Sequence, residues 1–228
     1  MSDTILVTGA NRGIGLEITR ALLDDGHRVL AACREPNKAT ALAGLSTGHR
    51  LDLLTLDVGD AASVATLPRA LAGLTIDALV NNAGRMRRES GVDGIDHDDW
   101  ARTFAINSQA PLRVATALKP NLLAATNARV MTISSRMGSI ALATTGSIAY
   151  RSSKAAVNMT MRCLANEWAD AEITVCVAHP GWVRSDMGGD DADLSTRESA
   201  RDLVDLLQRL QPTDSGRFLN HDGSVIPW

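Results

Sequence analysis

Aromatic side chains are scarce in this 228-residue chain: they make up 3% of it, with one tyrosine and two phenylalanines. Cysteine is scarce too, with Cys33, Cys163 and Cys176 the only three. Their odd number argues against a disulfide framework, their spacing matches no zinc pattern, and two of them sit in apolar runs, so no metal is expected and a reducing compartment with buried thiols is favoured. An excess of positive charge is absent: 23 Lys and Arg face 26 Asp and Glu, for a net charge of −3. That removes the electrostatic footing for a nucleic acid or an anionic membrane and makes small molecules the expected ligands. Long hydrophobic runs are missing as well. None is long enough to cross a bilayer, and the N-terminal run from Thr4 to Thr8 reaches Gly9 before a signal-peptide core could form, so a soluble cytoplasmic protein is expected. There is no linker, internal repeat or low-complexity tract, so residues 1–228 should form a single domain.

What is present is a regular alternation. Short β-branched apolar runs recur at Ile5–Thr8, Val29–Cys33, Leu51–Leu56, Ile76–Asn81, Ala128–Ser134 and Ile173–Ala178, and read as buried strands. Between them lie segments of helical length and composition: Gly15–Asp25, Ala61–Ala72, Asp98–Leu123, Ser147–Asp170 and Ser195–Leu210. This pattern predicts an α/β fold, a doubly wound parallel sheet of about seven strands with helices on both faces. The least regular stretches, Gly84–Asp96 and Gly181–Leu194, follow predicted strands, where an open α/β sheet forms its ligand crevice.

The first strand runs into Thr8-Gly9-Ala10-Asn11-Arg12-Gly13-Ile14-Gly15 and then a helix. Glycines permit a tight turn and a close approach of the backbone to a pyrophosphate, while the free amides of a helix start attract it. The spacing is Gly-x-x-x-Gly-x-Gly, with the same mechanics as the commoner dinucleotide fingerprint. At the end of the second strand, where an NAD site carries an acid for the ribose 2′-hydroxyl, Cys33 is followed by Arg34. A guanidinium there grips a 2′-phosphate, and Arg12 offers a second cation, so NADP(H) is preferred over NAD(H). The plainer alternative is that Arg34 and Glu35 are solvated residues opening a loop.

The single tyrosine lies in Tyr150-Arg151-Ser152-Ser153-Lys154, and residues four apart on a helix share a face. An ammonium beside a phenol favours phenolate, so Lys154 is expected to lower the Tyr150 pKa towards neutrality and make it a usable proton donor and acceptor.

The chain resembles the short-chain dehydrogenases/reductases from end to end. The Gly loop, Asp57-Val58, Asn81-Asn82-Ala83-Gly84, Asn107, Ser134-Ser135, Tyr150 with Lys154, and Pro180-Gly181-Trp182-Val183-Arg184-Ser185 occur in that family's order. Ile133 to Ile140, the context of Tyr150 and the C-terminal His221-Asp222-Gly223 with Ile226-Pro227-Trp228 resemble its C-factor-like and sniffer-like carbonyl reductases. The resemblance implies a single-domain Rossmann fold and a carbonyl or alcohol substrate. It makes Tyr150 the acid/base, Lys154 the partner of the phenol and of the nicotinamide ribose, and Ser135 the stabiliser of the substrate oxygen. Asn107 would anchor a water in a proton relay. Ser134 and Ser139 compete with Ser135; the family's Ser-Ser pair puts the catalytic hydroxyl second. For the cofactor the resemblance adds Asp57 at adenine, Val58 against the ring, Asn81, Ala83 and Gly84 along the ribose, and Pro180, Gly181, Val183 and Ser185 near the carboxamide and pyrophosphate. Asp57 has a plainer alternative as the cap of the helix after Gly59. A homodimer or homotetramer is implied through the helices at 98–123 and 147–170. The alternative function is a cofactor-binding signalling protein of the C-factor type that turns over little.

Departures from the family remain. The loop after Pro180 is short and acidic, with Gly188-Gly189 as a hinge, and Arg85, Arg87 and Arg88 form either an attractor of anionic substrates or a solvated cluster. Trp182, Met137, Ile148 and Met187 are candidate pocket walls.

Overall fold

A computed structural model describes residues 2–45, 50–89 and 91–228, so the stretch from Gly84 to Asp96 is described apart from residue 90. Seven parallel strands form one sheet: β1 (Thr4–Thr8), β2 (Arg28–Cys33), β3 (Leu51–Thr55), β4 (Ala78–Asn81), β5 (Arg129–Ile133), β6 (Thr174–His179) and β7 (Phe218–Asn220), in the order β3-β2-β1-β4-β5-β6-β7. The helices are α1 (Gly13–Asp24), α2 (Thr40–Ala43), α3 (Ala61–Ala65), α4 (Leu67–Ala70), α5 (His97–Phe104), α6 (Ala110–Ala117), α7 (Lys119–Leu123), α8 (Ile148–Glu167) and α9 (Thr196–Arg209).

Period-two alternation in the strands sends side chains to two cores. Ile5 and Val7 face α1 and α9 through Ile18, Leu22, Leu203 and Leu207. Leu6, Leu30 and Leu79 face the other way, onto Val114 of α6, Leu118 just after it, and Val157 and Met161 of α8. A sheet covered on both faces explains why its strands read as near-continuous apolar runs.

Two predicted helices are divided. Ala61–Ala72 breaks at Thr66 ahead of Pro68, giving α3 and α4. The segment Asp98–Leu123 holds α5, a π-helical turn over Ala105–Gln109, α6 and, after a break at Leu118 ahead of Pro120, α7. Among the described residues, no helix is long and apolar enough to cross a membrane.

The chain leaves β1 for β2 and β3 on one side and reaches β4 on the other. The crevice forms at the carboxyl ends of the strands around that reversal, which is where open α/β sheets bind their ligands.

Candidate active site

The crevice has a volume of about 1280 Å³ and runs from the Gly loop to α8. At one end lie Gly9, Asn11, Arg12, Gly13, Ile14 and Gly15. Gly9 and Gly13 have φ of +65° and +56°, conformations that favour glycine. At Gly15 a Cβ would fall 2.4 Å from the Gly9 oxygen and from Asn82 Nδ2, so the loop can fold onto itself only without a side chain there. Helix α1 has no capping side chain and no acid in its first turn, which leaves its leading amides facing the crevice unopposed. This cradle fits an anionic pyrophosphate. Asn82 braces it: Nδ2 donates to the carbonyls of Thr8 (2.9 Å) and Gly9 (3.2 Å). Thr8 Oγ1 in turn accepts from the amides of Asn82 and Ala83. Sequence reading missed both braces.

Cys33, Arg34, Asp57 and Val58 line the neighbouring part of the crevice. Arg34 is exposed and has no ion-pair partner among the described residues, which leaves its fork open to a ligand. Arg12 instead pairs with Asp186 from the loop after β6. Asp57 does not cap the helix after Gly59. That task falls to Asp60, which accepts from the amides of Ala62 and Ser63, while Asp57 Oδ1 closes a turn onto the Gly59 amide at 2.9 Å. Asn81 lies outside the crevice. It is the last residue of β4, buried, and its Nδ2 donates to Pro111 O at 3.2 Å; the strand ends there, and the loop that follows lines the site with Asn82, Ala83 and Gly84.

At the other end the three candidate serines separate. Ser134 is buried and donates to Asn158 Oδ1 at 2.5 Å. Ser139 donates to Pro227 O and anchors the C-terminal segment. Ser135 starts the turn Arg136–Gly138, accepts from the Met137 amide at 3.2 Å, and is the one that lines the crevice beside Tyr150 while having no anchor elsewhere among the described residues. That turn packs so closely on α8 that a Cβ at Gly138 would lie 2.7 Å from the carbonyl carbon of Lys154. Asn158 Nδ2 donates to Gly138 O from the same helix, so Asn158 ties Ser134 and the turn together.

Lys154 is buried, donates to Ile133 O at 2.8 Å and lies 5.8 Å from the centre of the Tyr150 ring. The expected lowering of the Tyr150 pKa is reversed. Burial pushes the phenol up to about 12, only partly offset by the Ser135 hydroxyl nearby, and pushes the Lys154 ammonium down to about 8. Both groups leave water, and at this separation desolvation of each charged form outweighs their attraction. Asn107, in the π-helical turn, is buried and uses its whole amide. Oδ1 accepts from the Arg85 amide, and Nδ2 donates to Arg85 O and Ser153 Oγ. Gly84 sits between Asn107 Oδ1 and Lys154 Nζ.

Pro180, Gly181, Val183 and Ser185 line the crevice with Trp182, Met137 and Met187, whereas Ile148 does not. The Gly188-Gly189 pair is no open hinge. Gly188 is pressed under Val183, its oxygen accepts from Trp182 Nε1 at 3.0 Å, and bridges Val183–Leu194 and Ser185–Gly189 close the loop on itself. Arg85 and Arg87 are held by Asp99 and Asp96, which removes them as free attractors of an anion. His179 was not anticipated: it lines the crevice, its buried Nδ1 has no partner among the described residues, and burial lowers its pKa to about 4.

A Gly-loop cradle at a topological switch point and a Ser-Tyr-Lys set at the far end of the same crevice define a dinucleotide-binding oxidoreductase site. A family model described as short chain dehydrogenase matches residues 3–195, so the chain belongs to the short-chain dehydrogenase family. The C-signal protein of Myxococcus xanthus is 42% identical over 154 residues, covering 67% of this chain and 93% of that protein. Among solved structures, the carbonyl reductase Sniffer of D. melanogaster superposes with a TM-score of 0.95 at 28% identity, covering 100% of each chain. An NADPH-bound carbonyl reductase from chicken fatty liver superposes with a TM-score of 0.92 at 35% identity, covering 100% of this chain and 99% of that one.

Proposed function

We propose that the protein transfers hydride between NADP(H) and a small carbonyl or secondary alcohol substrate, with Tyr150 as the general acid/base. The observation that carries this is the meeting of Ser135, Tyr150 and Lys154 in the crevice that the Gly loop enters. Gly9, Gly13, Gly15 and the start of α1 would hold the pyrophosphate, and Arg34 the 2′-phosphate. Bound nicotinamide supplies hydride in reduction and accepts it in oxidation. At neutral pH the raised pKa keeps Tyr150 protonated, the form that gives a proton to a carbonyl oxygen. Ser135, lining the crevice beside the phenol, would donate to that same oxygen as negative charge grows on it. Lys154, held by Ile133 O, keeps its positive charge beside the phenolate left when the proton departs. In the oxidative direction the proton returns from the alcohol to Tyr150. Asn107 clamps the loop after β4 against α8 through Arg85 and Ser153. The NADPH of the chicken relative supports the cofactor assignment.

The C-signal relative favours a second reading, a cofactor-binding signalling protein with little turnover. The intact catalytic set weighs for the enzyme. NADPH and NADH oxidation against small aldehydes, ketones and quinones decides between them: turnover with NADPH that disappears in Tyr150→Phe supports the reductase. Tight NADPH binding with no carbonyl reduced supports the signalling protein. A homo-oligomer built through α8 belongs to the same proposal, and a monomeric mass in light scattering would overturn it.

A further inference from the structure

Helix α8 carries Tyr150 and Lys154, yet its own start is poorly made. Ser147 enters it in the left-handed region, at φ 51°, and gives no side-chain cap to the first amides. The missing cap comes from a distant loop. Glu89 Oε2 accepts from the Ile148 amide and Oε1 from the Ala149 amide, each at 2.8 Å. One carboxylate thus satisfies two adjacent amides, and Ala149 immediately precedes Tyr150.

The loop that delivers Glu89 is itself anchored. The Arg85 amide and carbonyl both bond the Asn107 side chain at 2.8 Å, the Arg85 guanidinium meets Asp99 at 2.6 Å, and Arg87 meets Asp96 at 2.8 Å. Glu89 has no cationic partner among the described residues, so its charge is answered by the positive end of the helix. Beneath it a cavity of about 120 Å³ is lined by Glu89, Ala149 and Tyr150 among others, which gives the first turn of α8 room to move once the anchor is lost.

We propose that Glu89 is a positioning residue for Tyr150: by capping α8 from the loop after β4, it fixes the depth of the phenol in the crevice. The proposal rests on the reading of Tyr150 as the proton donor, but its test does not need turnover, because the chain has one tyrosine and a phenolate titration reads Tyr150 alone. In the wild type the phenol, pushed up to about 12, stays silent to about pH 11. In Glu89→Ala the phenolate should appear with a midpoint near 10, and in Glu89→Gln, which keeps one acceptor oxygen, between the two. Hydrogen exchange at Ile148 and Ala149 should speed up about tenfold in Glu89→Ala. With 4-nitrobenzaldehyde as the probe, kcat should fall about tenfold while the Kd for NADPH holds, and the melting temperature should drop only by the few degrees that loss of a helix cap costs. A titration and exchange like those of the wild type in Glu89→Ala would overturn the proposal. If Glu89→Ala does not fold, the same comparison in Glu89→Gln decides. A wild type that reduces no carbonyl would overturn the reductase reading while leaving titration and exchange to judge Glu89.

Discussion

The two ends of the crevice are built by different means. The cofactor end is shaped by backbone: positive φ at Gly9 and Gly13, a Cβ-free contact at Gly15, and the leading amides of α1. The catalytic end is shaped by buried side chains that hold one another, Ser134 on Asn158, Lys154 on Ile133, Asn107 on Arg85 and Ser153. A backbone cradle tolerates any side chain that stays out of it. A side-chain network depends on every member, since each partner removed leaves a buried polar group unsatisfied.

Breaking the catalytic end at its centre has the largest expected effect. Tyr150→Phe should lower kcat by about 10² to 10⁴, the usual worth of a general acid, with NADPH affinity unchanged. Titrating NADPH fluorescence beside turnover checks both halves of that statement. Next, a methyl group separates the two ends. Gly138→Ala forces the Ser135 turn off α8 and should cost about 1 to 3 kcal/mol of stability along with activity. Gly15→Ala should instead raise the Kd for NADPH about tenfold or more while the turn at Ser135 stays packed on α8. Calorimetry and binding measured on both variants would collapse the distinction if each lost both properties equally.

Arg34→Asp sharpens the cofactor end further. NADPH binding should weaken at least about tenfold more than NADH binding, because a charge-assisted contact to the 2′-phosphate is replaced by repulsion. Equal losses for the two nucleotides would strip Arg34 of that role.

Smallest are the effects of pH. In kcat/KM, which reports the free enzyme, the alkaline limb should fall near pH 8 with Lys154 and not with Tyr150. Stability follows the same groups. Lys154 has a folded pKa of about 8 against 10.5, so the unfolded chain binds the extra proton between those values and stability rises with pH there, by roughly 1 kcal/mol from pH 7 to 9. Lys154→Met should abolish that rise in urea midpoints. His179, lowered from 6.5 to about 4, works in acid: as pH falls through that window the unfolded chain takes up a proton first, and stability is lost.

The contrast also explains what was legible in the sequence. Glycine spacing, strand runs and the pair Tyr150 and Lys154 are local patterns, and they place the sheet, the loop and the helix that carries the pair. The braces are not local. Asn82 on Gly9, Asn158 on Gly138 and Glu89 on α8 join segments far apart in the chain, and nothing in their neighbours marks them. Asn81 and Asn82 illustrate the limit: of two adjacent amides of the same type the first ends a buried strand and the second opens the loop at the crevice, and only where the strand stops says which is which. The Tyr150 pKa was misjudged because spacing reveals a neighbouring charge and conceals burial.

The π-helical turn at Ala105–Gln109 has one more consequence. Each residue of a regular helix advances about 100°, so one residue more in a turn shifts the phase of all that follows by that amount. Upstream of the shift, α5 presents Asp99 to the loop after β4; within it, Asn107 and Ser108 reach Ser153; downstream, Val114 and Leu118 point into the core. Two helical surfaces that a uniform pitch would set out of step are thereby kept in register, so this turn works as the gear tooth between the chemistry of the chain and its interior.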